Sequence, residues 1–129
     1  MLMLQTWLKQ LEKELELEIP FIANDKGEYT LSLGEALTIY MTDIPQGFRL
    51  HSVVTPLPKN RKEDFLSFAL QGNLFGQGTH GAVLGIDTDG NMLTLSHELD
   101  YNPGYKEFRD TLEDFINTAD FWRNEATKY

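Results

Sequence analysis

Leu4, Leu8, Leu11 and Leu15 recur at intervals of three and four, with Lys9, Glu12, Lys13, Glu14 and Glu16 between and beyond them. This is the spacing of one helix face, so an amphipathic helix opens the chain, its leucines turned to the core and Pro20 as its stop. Past Pro20 the period falls to two. Ile19 to Ala23 is a short apolar run, and Asn24-Asp25-Lys26-Gly27 is turn chemistry. Tyr29, Leu31 and Leu33 alternate with Thr30 and Ser32; Leu37, Ile39 and Met41 alternate with Thr38, Tyr40 and Thr42. After a turn from Asp43 to Gly47, Phe48, Leu50, Ser52 and Val54 share one side, and Arg49, His51 and Val53 the other. Short alternating strands joined by tight turns predict an antiparallel meander.

Pro56 and Pro58 end that meander, and a second helix is predicted from about Arg61 to Phe75. Its apolar residues, among them Phe65, Leu66, Phe68, Leu70 and Leu74, spread over roughly 260° of the helical wheel, where a surface helix needs a stripe little over 100° wide. Such a helix has two surfaces to bury. A second copy of the chain covers the outer one, or the helix is sandwiched within its own chain. Two strands follow, Ala82 to Asp87 and Asn91 to Ser96, joined around Asp89-Gly90 as a hairpin. The last helix carries Phe108, Leu112, Phe115, Ala119 and Trp122 on one stripe, with Phe121 off it. The order α-β-β-β-α-β-β-α predicts a segregated, antiparallel α+β fold. With 129 residues and no internal repeat or linker, one domain spanning 1–129 is expected.

Charge narrows the partners. Twenty acidic side chains against eleven basic give a net charge of -9, which argues against nucleic acid as a partner. No apolar run approaches the roughly 20 residues that insert across a membrane. Gln5 and Lys9 break any signal-peptide core, so a cytoplasmic protein is expected. The absence of cysteine removes disulfides and thiol chemistry.

The stretch GNLFGQGTHG, residues 72–81, places its glycines after a helix and before a strand. A phosphate cradle has the reverse order, and no Gly-Lys-Ser/Thr is present, so these glycines shape a helix end. Asp87, Asp89 and Gly90 form a turn, since the remaining ligands of a calcium loop are not in place. His51, His80 and His97 lack metal-ligand spacing, and His51 reads as solvated surface. The carboxylates of Glu12 to Glu18 are a solvated helix face. No catalytic constellation, cofactor site or metal site emerges, and a non-enzymatic protein is expected.

From Glu63 onward the pattern becomes specific. An apolar helix ends in Asn73-Leu74-Phe75; Thr79-x-Gly81-Ala82 follows, then a strand ending in Asp87, a turn, Leu93-x-Leu95, Glu98-Leu99 and a final helix closing with Trp122. This half of the chain resembles the class I type III secretion chaperones of the CesT (Tir chaperone) family. The resemblance implies an acidic, cytoplasmic bacterial homodimer that holds an N-proximal segment of an effector protein in extended form, without ATP. It implies a dimer interface on the second helix and nearby strand, with Phe65, Phe68, Leu74, Phe75 and Val83 as its residues. It also implies effector-binding pockets between the first helix and the meander. Leu8, Leu11, Phe21, Ile22, Leu31, Leu33, Ile39, Met41 and Leu50 are the candidates, some of which face only the core. Family members commonly carry two glycines after the threonine, whereas His80 stands at the first here. Two other readings are a regulatory protein-binding domain of the same fold, and a small enzyme or ligand-binding domain with a pocket near His51 or His80.

Overall fold

The computed structural model describes residues 3–74, 78–100 and 104–129. Helix α1 (Met3–Glu14) precedes strands β1 (Glu28–Leu33), β2 (Leu37–Ile44) and β3 (Gly47–Pro56). Helix α2 (Lys62–Asn73), strands β4 (Val83–Ile86) and β5 (Met92–Asp100), and helix α3 (Tyr105–Ala126) complete the α+β order expected from the periodicity. The strands form one antiparallel sheet in the order β1-β2-β3-β5-β4.

Alternation decides which side of the sheet is covered. Ile39, Met41, Phe48, Leu50, Leu84, Leu93 and Leu95 are all buried, and they meet Leu4, Trp7, Leu8 and Leu11 of α1 and the stripe of α3 in one core. Trp7 sits 5.7 Å from Phe48 and 5.2 Å from Phe108, ring centre to ring centre. The other face of the sheet carries polar side chains in register: Thr30 beside Tyr40, Tyr40 beside His51, His51 beside Ser96.

Three boundaries depart from the sequence pattern. Helix α1 stops at Glu14, well before Pro20. The Leu15 and Leu17 amides turn back to the Leu11 and Glu12 carbonyls, and Glu16 takes a left-handed φ of 53°. Leu15 therefore leaves the leucine stripe and is exposed. Strand β5 runs on to Asp100, because Glu98, Leu99 and Asp100 pair with Arg49, Phe48 and Gly47. Helix α2 ends at Asn73, and Phe75 lies outside the described residues.

The stripe on α3 is buried as expected, and Thr118 joins it. Trp122 is the meeting point of α3, α2 and the residue 78 corner. Its ring lies 5.1 Å from Phe68 and 6.2 Å from Phe65, and its Nε1 donates to the Gly78 carbonyl at 3.0 Å. Gly72 makes this approach possible, since a Cβ there would stand 2.5 Å from Trp122 Cζ2.

At the other end of α3, Arg109 pairs with Glu14 at 3.3 Å, tying α3 to α1. The Tyr105 hydroxyl is shut away from solvent beside them without a well-formed hydrogen bond. Burial first, then the Glu14 carboxylate, pushes its pKa up to about 12. The folded state thus favours the neutral phenol more than the unfolded chain does. This contribution to stability is complete below the ordinary value of 10.0 and is lost as pH rises through about 12. In an alkaline absorbance titration, one of the five tyrosines is expected to ionise late, and Tyr105→Phe should remove that lagging step.

Candidate functional site

A five-stranded open sheet has two edges, and each is bordered by exposed apolar side chains. At one edge lies β4, packed against α2. Leu66, Ala69 and Leu70 of α2 and Leu84, Ile86 and Leu93 of the sheet line an apolar groove of about 350 Å³. Leu70 is 71% exposed and Val83 59%, with Leu74, Ile86 and Phe121 also open to solvent. The wide apolar wheel of α2 is resolved accordingly: Phe65, Ala69 and Gly72 face the core, while Leu70 faces away from it.

Strand β1 forms the other edge. Residues 15–27, which connect α1 to it, present Leu15, Leu17, Ile19 and Ile22 to solvent, Ile19 at 81% and Ile22 at 75%. Beyond the turn at Leu15 to Leu17, the Phe21 N–H ties this connection back to α1, donating to Glu12 Oε1 at 2.6 Å. Leu33, at the end of β1, is also exposed, and Tyr29 and Leu31 are half-buried against the core.

The positions expected from sequence therefore divide. Phe21, Ile22, Leu31 and Leu33 lie along the β1 edge and its connection. Leu8, Leu11, Ile39, Met41 and Leu50 do not: all five are core residues, because the α1 stripe and the inward positions of β2 and β3 pack on one another. They reach no partner while the core is closed. Among the interface candidates, Leu74 and Val83 are exposed and Phe68 is half-buried against Trp122. Phe65 is fully buried, so it supports the α2 surface from beneath. Leu70, Ile86, Leu17 and Ile19, exposed along the same two edges, were not among the candidates named from the sequence. Their signal was present: Leu70 lies outside the core arc of α2, and Ile19 flanks a proline that no helix includes.

The histidines are absorbed by structure. His51 Nδ1 meets Ser96 Oγ at 2.8 Å, so this ring is half-buried instead of freely solvated. Burial, then the neighbouring Arg49, lowers its pKa, and burial lowers that of His97. His80 adopts a left-handed φ of 54°, and its Nδ1 meets the hydroxyl of buried Thr118 at 2.8 Å. A side chain thus occupies a backbone conformation suited to glycine, held by a bond that glycine would lack. Among the described residues, no cluster of His, Asp or Glu is placed to hold a metal ion. No helix among them is long and apolar enough to cross a membrane.

With this geometry in place, the likenesses to other proteins become interpretable. The model of the Tir chaperone protein (CesT) family matches residues 6–123. A curated protein of Chlamydia pneumoniae is 33% identical over 54 residues, which take in 42% of this chain and 41% of that protein. The chain thus spans about two fifths of the length of that relative. Among solved structures, the ExsC–ExsE complex matches with a TM-score of 0.75 at 15% identity, over 95% of this chain and 92% of the other. The HopA1–SchA chaperone–effector complex matches at 0.73 and 16%, over 99% and 95%. The Yersinia pestis type III secretion chaperone SycH, in complex with a stable fragment of YscM2, matches at 0.70 and 18%, over 92% and 98%. At such identities the likeness is one of fold, and it extends to all three helices and the sheet.

Proposed function

Because this chain belongs to the Tir chaperone protein (CesT) family, we propose that it is a type III secretion chaperone. It binds the N-proximal segment of an effector protein in extended form and keeps that effector soluble and competent for export. The family match over residues 6–123 carries this reading. A solved chaperone–effector complex and a solved type III secretion chaperone bound to a protein fragment support it at the level of fold.

The mechanism uses the β1 edge. An extended client pairs its backbone with an open strand, a contact tolerant of sequence, while its side chains enter apolar surface beside the strand and provide selectivity. The exposed Ile19, Ile22 and Leu33, next to half-buried Phe21 and Leu31, supply that apolar surface. Nothing in this mechanism requires a cofactor or a covalent step. The protein works as a homodimer in the cytoplasm of its bacterium, with the α2–β4 face as the contact between copies.

The test is co-expression with the neighbouring open reading frames, followed by affinity capture and limited proteolysis. A soluble complex in which an N-proximal client segment of some tens of residues resists protease is the expected result. Failure to protect a segment of any neighbouring secreted protein would reject the reading.

A further inference from the structure

The two edges of the sheet are not equivalent, and the difference lies in their backbone hydrogen bonds. In an antiparallel strand, alternate residues direct both N–H and C=O to the neighbouring strand, and the residues between direct theirs outward. Just past β4, the Asp87 N–H donates to the Met92 carbonyl at 3.0 Å, so Gly85 and Val83, in phase with it, are the residues of β4 that bond β5. Ala82, Leu84 and Ile86 therefore point their backbone groups away from the sheet.

Two of these three outward positions are already filled from within the chain. The Leu84 N–H donates to Asn73 Oδ1 at 2.8 Å, and the Leu84 carbonyl accepts from Asn73 Nδ2 at 2.9 Å. A single amide side chain thus makes the two bonds that a residue of an added strand would make. At Ala82 the N–H donates to the Thr79 carbonyl at 3.1 Å, and the carbonyl accepts from Thr79 Oγ1 at 2.5 Å. Only Ile86 lacks a partner among the described residues, at the end of the strand. Strand β1 differs. There Asn24 occupies Glu28 in the same two-bond manner, at 2.9 Å each, which sets Thr30 and Ser32 as the next outward positions. No described residue bonds their outward groups, so β1 offers consecutive open sites.

We propose that Asn73 and Thr79 seal the β4 edge against strand pairing, so that an extended chain can join the sheet at β1 alone. The α2–β4 face then meets a partner only through side chains, Leu70, Leu74, Val83 and Ile86, which suits the folded surface of a second copy and not an extended client. An open edge beside so much apolar surface would otherwise be a template for aggregation. What occupies β1 rests on the chaperone reading above; the sealing of β4 does not.

Asn73→Ala tests this, since Asn73 is only half-buried and its loss leaves the core intact. The probe is a short peptide of alternating valine and threonine, and the readout is residue-resolved amide exchange. In the wild type, the Leu84 amide should exchange slowly, and the peptide should protect Thr30 and Ser32 but not Leu84 or Ile86. In Asn73→Ala, Leu84 exchange should rise by about tenfold or more, the loss of one hydrogen bond, with Gly85 unchanged. The peptide should then also protect Leu84. Peptide protection of Leu84 and Ile86 in the wild type, or Leu84 exchange unchanged in the variant, would overturn the proposal. A peptide that ignores β1 would count against strand addition by clients, while Leu84 exchange would still decide the sealing. Should the variant fail to fold, a scalar coupling across the hydrogen bond between the Leu84 nitrogen and the Asn73 side-chain carbonyl decides in the wild type; its absence sinks the proposal.

Discussion

Trp122→Ala is expected to lower the free energy of unfolding by about 3–5 kcal/mol, the range for emptying a buried aromatic site. Trp122 is 1% exposed and touches Phe65, Phe68 and Phe121, so its removal opens a cavity where α2 meets α3. It also leaves the Gly78 carbonyl without its indole donor. Against a typical total of about 5–15 kcal/mol, this is a large fraction of stability. Urea unfolding followed by circular dichroism, at fixed protein concentration so that any association between copies is held constant, measures it. A loss below about 1 kcal/mol would mean that α2 does not depend on this contact. Gly72→Val should approach the same result from the opposite side, by overfilling the site.

Leu70→Glu should act on assembly and spare the fold. Leu70 lies 71% exposed on the rim of the apolar groove and contributes nothing to the core, so the variant monomer should keep wild-type circular dichroism. If the α2–β4 face joins two copies, a carboxylate at that position is buried without a partner on both sides of the contact. An uncompensated buried charge typically costs about 3–5 kcal/mol, so dimer affinity should fall by at least about thirtyfold. Sedimentation equilibrium of wild type and variant reads this directly. A wild type that stays monomeric at high micromolar concentration, or a variant that dimerises as well as the wild type, would remove this face from the interface.

The elements with a single buried face were legible from periodicity alone. The α3 stripe of Phe108, Leu112, Phe115, Ala119 and Trp122 is buried throughout, and the alternation holds from Leu37 to Thr42 in β2 and from Phe48 to Thr55 in β3. Assigning function to individual apolar residues was harder, because period two says which residues share a side and not whether that side is covered. Leu8, Ile39, Met41 and Leu50 have the same sequence signal that a surface pocket would have; only the packing of α1 on the sheet makes them core. The C-terminal part of β5 was invisible for another reason. Its pairing depends on Gly47, where any Cβ would collide with the Leu99 carbonyl, and a glycine near a proline reads as a turn. The bonds of Asn73 to Leu84 join residues eleven apart through a helix end and a corner, and no local pattern encodes such a closure. His80 shows the same limit: its left-handed backbone is secured by Thr118, 38 residues away.

The bond from the Phe21 amide to Glu12 has a consequence for how a passenger is received. It fastens the middle of a thirteen-residue connection, residues 15–27, to the helix and so divides that connection into two short spans. Ordering a free chain opposes association by about 1–2 kcal/mol for each residue fixed. A connection already pinned at its midpoint has less freedom left to surrender, so if Ile19 and Ile22 receive the client as proposed, more of their attraction survives as net affinity.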